Sequence, residues 1–230
     1  MKTQEPVKER YVEILYKLSE VSIKILETDD IEEQLSIIAH SITELNLFRR
    51  ALLSIFDEKW RIVKFGFSGL DDIDVGKLKN KRFLSKEERD NIFSDRFRIS
   101  KSYYVPHYVS DSENIIEDDR IIDSKLEKNN FVDWHPDDIL LIPLYGKNNK
   151  ILGTISVDDP NDGRKPSTEK LQVLELFANQ AGIAIEKNLM FWQNKKQEIL
   201  KGFLAFFCKY SENIYIYFDN SYREETKGML

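Results

Sequence analysis

The chain has 230 residues, 41% hydrophobic and 32% charged, with 34 basic against 40 acidic side chains and a formal net charge of -6. A chain of this size buries a substantial core without a staple, and 9 Gly and 6 Pro are too few for a disordered or fibrous protein. Its one cysteine, Cys208, excludes an internal disulfide or a multi-thiolate metal site, and the acidic balance disfavours nucleic acid as a partner.

From the N-terminus, residues 5 to 27 read as a helix, with Val7, Tyr11, Ile14, Leu18, Val21 and Ile25 stepping by four and three. That 3.5-residue period is the spacing of a coiled-coil seam, so the helix is expected to pair with something. Asp30 is placed to cap a second helix carrying Ile31, Leu35, Ile38, Ile42 and Leu45 on one face. Ala51 to Phe56 and Trp60 to Phe67 then read as a strand pair joined by the polar turn Asp57-Glu58-Lys59. From Ser68 to Asn130 the pattern is irregular, with a short helix predicted at Lys86 to Phe93, a strand near Arg98 to Val105 and a helix at Asp119 to Lys128.

Regular order returns with Ile139 to Tyr145 and Ile151 to Val157, a second hairpin. The stretch from Asp158 to Ser167 is rich in turn-forming residues. It imitates part of a calcium loop, but Pro160 at the third place and the strand that leads in favour a strand-to-helix turn. Ser167 or Thr168 then caps a long helix with Glu169 in its first turn. Leu171, Leu174, Ala178, Ala181, Ile185 and Trp192 form one apolar stripe, and Val173, Phe177 and Ala184 a second. One stripe can cover a sheet while the other meets another helix.

The charge is unevenly placed. Asp111 to Asp138 carries ten acids and three bases, a local charge of -7, while Lys77 to Lys101 carries nine bases and four acids, a local +5. Solvated surface is the simpler reading of both runs; two walls of a cleft is the sharper one.

The apolar runs Ile139 to Tyr145 and Phe203 to Phe207 are far below the roughly 20 residues that span a bilayer. Met1 to Arg10 lacks the apolar stretch of a secretory signal, so no membrane partner and a cytoplasmic location are expected.

Three segments of the last third carry a family resemblance: Asp138-Ile-Leu-Leu-Ile-Pro-Leu-Tyr-Gly, Lys150-Ile-Leu-Gly-Thr-Ile-Ser-Val-Asp-Asp-Pro, and Leu174-Glu-Leu-Phe-Ala-Asn-Gln-Ala-Gly-Ile-Ala-Ile-Glu. They resemble the GAF domain family, in particular versions from bacterial and archaeal sensor proteins in which a Trp-x-Pro-Asp-Asp segment, here Trp134 to Asp138, precedes the penultimate strand. The resemblance runs from about 27 to 190, is strongest over 134 to 187, and is weakest over 68 to 97. It implies an α+β, GAF/PAS-like fold: a central antiparallel sheet of about six strands, N- and C-terminal helices on one face, and a ligand pocket under the variable loops on the other. It also implies a homodimer through the terminal helices. The chain then divides into an N-terminal pairing helix (1–27), a GAF domain (28–190), and a helix extension with an aromatic-rich tail (191–230).

The residues narrow the family's chemistries. Reduction of methionine sulfoxide and covalent bilin binding both require cysteine within the domain, and residues 1 to 207 contain none. The scattered Asn-Lys-Phe-Asp-Glu set of cyclic-nucleotide-binding members is not placed here. No nucleophile, base and metal constellation stands out, so a non-catalytic module is expected, its cofactor unidentified.

The strand near Arg98 to Val105 resembles the pocket-side strand of sensor GAF domains. Alternation along a continuous strand puts Arg98, Ser100, Ser102 and Tyr104 on one face, a cation, two hydroxyls and a phenol for a polar or anionic small molecule. The alternative is an edge strand wetted on one side. His107, Trp134 and His135 lie in loops near the expected rim and complete the candidate ligand set, whereas His40 reads as an ordinary, partly exposed histidine.

About 40 residues follow the domain, with eight aromatics between Phe203 and Tyr222. This segment is too short for a kinase or cyclase output. The expected function is a small-molecule sensor that signals through dimeric terminal helices to a separate output protein. The alternative is an interaction adaptor, or a remnant of a longer sensor of the histidine kinase or cyclase type, with no ligand of its own.

Overall fold

The computed structural model describes residues 5–79, 85–109, 115 and 132–227, with side chains over 10–78, 85–109, 115 and 132–206. In chain order the elements are α1 (Glu5–Glu27), α2 (Ile31–Glu44), β1 (Phe48–Phe56), β2 (Ile62–Ser68), α3 (Asp72–Lys79), α4 (Lys86–Ile92), β3 (Arg98–Ile99), β4 (Ser102–Val105), β5 (Ile139–Tyr145), β6 (Ile151–Pro160) and α5 (Thr168–Lys227). The expected helix at Asp119 to Lys128 lies outside the described residues.

The strands form one six-stranded sheet in the order β2-β1-β6-β5-β4-β3, every neighbouring pair antiparallel. Directly opposed residues in such pairs share a face, so the register assigns each side chain to one of two surfaces. Leu53 opposes Ile155, which opposes Ile142. All three are fully or almost fully buried, in one core with α1, α2 and the start of α5. This inner face is covered closely. A Cβ at Gly66 would fall inside the backbone of Ser36 on α2, and one at Gly182 on α5 would lie 2.7 Å from the Tyr145 carbonyl oxygen.

Helix ends follow the expected chemistry. The Asp30 carboxylate accepts from the Glu32 and Glu33 amides at 2.9 and 3.4 Å, occupying two of the donors that open α2. Ser85 and Glu88 close a reciprocal capping box on α4. Ser167 caps α5, accepting from the Lys170 amide.

Four expectations change. The α1 stripe that suggested pairing turns inward, with Ile14, Leu18, Val21 and Ile25 buried in the chain's own core and Tyr11 exposed. Trp60 is a turn residue, not a strand residue, at φ +60°, a left-handed position that bulky side chains rarely adopt. β6 runs on through Asp158 and Asp159 to Pro160, so the turn begins later than its composition suggests. The strand expected over Arg98 to Val105 is two strands with a turn at Ser100-Lys101.

The chain forms two compact units, Met1–Glu186 and Lys187–Leu230. Within the second, α5 remains helical to Lys227, where an aromatic tail was expected. Leu189, Trp192, Ile199, Phe203 and Phe206 there are exposed. Among the described residues no helix is long and apolar enough to cross a membrane.

Candidate functional site

The sheet's outer face differs from its inner face in composition. One row crosses all six strands: Phe67, Leu52, Ser156, Leu141, Tyr103 and Arg98. A second row carries Phe65, Ser54, Thr154 and Pro143. Three small hydroxyls on the central strands are thus bordered by aromatic rings, with Ser54 and Thr154 directly opposed and both buried. At one end Phe56 stacks on Trp60 at 5.2 Å, Trp60 meets Phe93, the residue that follows α4, at 5.7 Å, and Phe93 meets Tyr103 edge-on at 5.1 Å. The Arg89 guanidinium lies 4.7 Å above Trp60. These contacts hold the left-handed Trp60 in place, since ring stacking offsets backbone strain of about 1 kcal/mol. Ile92, Phe97, Tyr103, Val105 and Ile115 form a separate small core on this side.

The turn at Ser100-Lys101, with Ser100 at φ +60°, breaks the alternation expected along this segment. Arg98 consequently opposes Tyr103 on the outer face, while Ser102 opposes Ile99 and Tyr104 opposes Leu140 on the inner one. Arg98 is exposed, and its Nε donates to the Ser100 carbonyl at 3.2 Å. Ser100 and Ser102 donate their hydroxyls to Glu175 of α5 at 3.0 and 2.9 Å, and the Lys101 amide donates to the same carboxylate at 2.8 Å.

The remaining predicted residues gather where β4 leaves the sheet and β5 enters it. The Asp138 carboxylate, with no exposed surface, accepts from the Tyr104 hydroxyl at 2.6 Å, the His107 and His135 amides at 2.9 Å each, and His107 Nδ1 at 3.0 Å. Four donors saturate its two oxygens. A carboxylate oxygen accepts, so in this contact the His107 ring donates from Nδ1. The His107 and His135 rings stack at 3.6 Å. Burial first, and then the bond to Asp138, hold the Tyr104 phenol above its ordinary value, so it stays a donor. Trp134 is buried between Tyr104 and Phe48.

Beside it, buried Arg50 pairs with Asp158, directly opposite it on β6, and with Asp159 at 2.9 Å. Burial pushes the Asp158 carboxyl up to about 6 despite the guanidinium. The Trp134 indole N–H lies near that carboxylate without closing a hydrogen bond of ordinary length. An open polar groove of about 670 Å3 lies among Arg10, Glu13, Glu44, Asn46, Asn161 and Lys170. Its charges are mixed, and Lys170 and Glu44 are paired with Asp162 and Lys17, so it resembles solvated surface more than a binding site.

The seven residues expected to bind ligand therefore fall in three places: Arg98 on the outer face, Ser100 and Ser102 on Glu175, and Tyr104, His107, Trp134 and His135 around Asp138. The outer-face hydroxyls Ser54, Thr154 and Ser156 are not in that set, although Thr154 and Ser156 alternate with Ile155 and Val157 along β6. Among the described residues no group of three His, Cys, Asp or Glu side chains could hold a metal.

A family model described as the GAF domain matches residues 30–185. None of the curated proteins matches the chain. Solved structures similar to it include the GAF domain of a protein described as a sensor histidine kinase from Pseudomonas syringae pv. tomato, at 12% identity and TM-score 0.53, covering 84% of this chain and 97% of that one. A methyl-accepting chemotaxis protein segment is 18% identical with TM-score 0.51, covering 74% and 98%. The GAF domain of a phosphoenolpyruvate-protein phosphotransferase from Coxiella burnetii is 13% identical with TM-score 0.52, covering 78% and 96%. At these identities the likeness is one of fold.

Proposed function

The chain belongs to the GAF domain family, a sensory and regulatory domain of signalling proteins, and from that premise we propose that it is a non-catalytic sensor holding a small molecule against the outer face of its sheet. The observation that carries this reading is the pair of outer rows, in which Ser54, Thr154 and Ser156 sit among Leu52, Leu141 and Pro143 on the central strands, with Phe65, Phe67 and Tyr103 on the flanking ones. A few placed polar groups on a largely apolar surface are the usual make-up of a small-molecule site. Arg98 stands at the end of one row and contributes a cation. His107, Trp134 and His135 shape the rim, while Ser100, Ser102 and Tyr104 brace the β3–β4 hairpin through Glu175 and Asp138.

Signalling proceeds through a homodimer. Opposite its buried stripe, α1 exposes Val12, Tyr16, Ile23 and Leu26, which together with Ser19 repeat the four-three spacing of a seam, and Leu15 lies beside them. A helix apolar on two sides has two surfaces to bury, and the core takes one. The working division is 1–27 for pairing, 28–190 for the sensor and 191–230 for contact with an output protein in the cytoplasm.

Native mass spectrometry of protein taken directly from cells tests the ligand. The expected result is a small-molecule adduct that is lost in Thr154→Val while the fold persists; an adduct unaffected by that change places the ligand elsewhere. The exposed Leu189, Trp192, Ile199, Phe203 and Phe206 favour a second reading, an adaptor. An empty protein with a stoichiometric protein partner in the same spectrum supports that one.

A further inference from the structure

The β3–β4 hairpin is held from both sides by different parts of the molecule. On its inner side the Glu175 carboxylate gathers three donors, two hydroxyls and one amide, from the three consecutive residues Ser100, Lys101 and Ser102. Bonds to an ionised acceptor are among the stronger ones, and Ser102 has no exposed surface, so without Glu175 its hydroxyl would lose a partner that water does not readily replace. On its outer side Tyr103 closes the aromatic run from Phe56 through Trp60 and Phe93. The two attachments involve adjacent residues, and a strand sends adjacent side chains to opposite faces. β3 contributes only two residues, so the hairpin is short and at the edge of the sheet.

We propose that this hairpin is a relay, in which Tyr103 takes up displacement of the outer-face aromatic run and Glu175 passes it to α5. The proposal rests on the sensor reading, because it names the path by which occupancy of the outer face reaches a terminal helix. Glu175 acts here as a positioning residue and does not touch the ligand. A built-in control exists at the next turn of the sheet. Glu186 of α5 accepts from the Lys147 amide in the β5–β6 connection at 2.5 Å, a comparable helix-to-turn bond away from the aromatic run.

The test is a mutant cycle on the full chain, read by amide hydrogen exchange in residues 169–186 of α5. Phe93→Ala loosens the outer side. In the otherwise unchanged chain it is expected to speed that exchange roughly tenfold, a rate change within the usual coupling range for contacting side chains. With Glu175→Ala already present, Phe93→Ala should add nothing further; with Glu186→Ala present, its effect should persist. If Phe93→Ala fails to fold, Phe93→Leu, which removes the ring from the run but keeps an apolar side chain, takes its place in the same cycle. An effect of equal size with and without Glu175, or no effect on α5 in the unchanged chain, overturns the relay. No ligand is used, so that outcome leaves the sensor reading standing.

Discussion

The two faces of the sheet are made by the same six strands yet differ in composition and packing. Leu53 and Ser54 are neighbours in sequence, both buried, and on opposite faces. Leu53 packs in a continuous apolar core under α1, α2 and α5, whereas Ser54 faces Thr154 in a row interrupted by hydroxyls. The inner face maximises apolar burial, the main source of stability. The outer face gives up some of that burial for hydroxyls, which on our proposal hold a small molecule. The two compositions are separated by the two-residue period of a strand, and substitutions at adjacent positions should separate their effects as well.

The largest expected effect is on the inner face. Leu53→Ala should cost about 4 kcal/mol, the upper part of the range for fully buried leucines, seen as a fall in the midpoint of urea unfolding. If it costs less than its outer-face counterparts, the division of labour is wrong.

Next comes Asp158, buried where the ordinary balance favours the neutral acid. Its carboxyl stands at about 6 in the folded protein against an ordinary 3.8. Below the ordinary value it is protonated in both states and costs nothing. As pH rises from about 4 to 6 the unfolded chain releases its proton first, so the folded state loses about 3 kcal/mol through this group, and the penalty is constant above that. Asp158→Asn should therefore flatten this part of the stability profile. Carboxylates such as Glu20, held down at about 2 by Lys24 and Lys17, act in the opposite direction in both proteins. A difference profile between the parent and Asp158→Asn that does not change across pH 4 to 6 would falsify the assignment.

Smaller again is the α2 cap: Asp30→Ala should cost about 1 kcal/mol, measured by the same unfolding curves. The smallest effect belongs to the outer face. Ser54→Ala should change stability by well under 1 kcal/mol, because only one hydroxyl oxygen is removed, while weakening retention of any bound molecule.

The fold was largely legible because its elements carry local signals. β5 and β6 are apolar runs separated by a polar turn, Asp30 and Ser167 announce their helices, and the stripes of α5 match its buried faces from Leu171 to Ile185, though not at Trp192, which is exposed. What was not legible depends on partners far along the chain. Asp138 gathers donors from 31 and 34 residues away, and Glu175 holds side chains 73 and 75 residues away, so neither role has a local signature. Ser102 and Tyr104 were put on the face of Arg98 because Ser100 makes a left-handed turn without the glycine or asparagine that usually marks one. α3 escaped for a different reason. In this short segment Leu78 is buried while Ile73 is exposed and Val75 half-buried, so its few apolar residues form no single stripe. The outward turn of α1's second stripe was hidden by its first, since both follow the same spacing.

The central claim, that one face stores stability and the other holds a small molecule, is tested most directly by methyl NMR on protein purified with its bound molecule and again after that molecule is stripped. Methyl signals of Leu52, Leu141 and Thr154 should shift between the two samples, while those of Leu53, Ile142 and Ile155 on the opposite face stay in place. Equal shifts on both faces, or identical spectra before and after stripping, would contradict it.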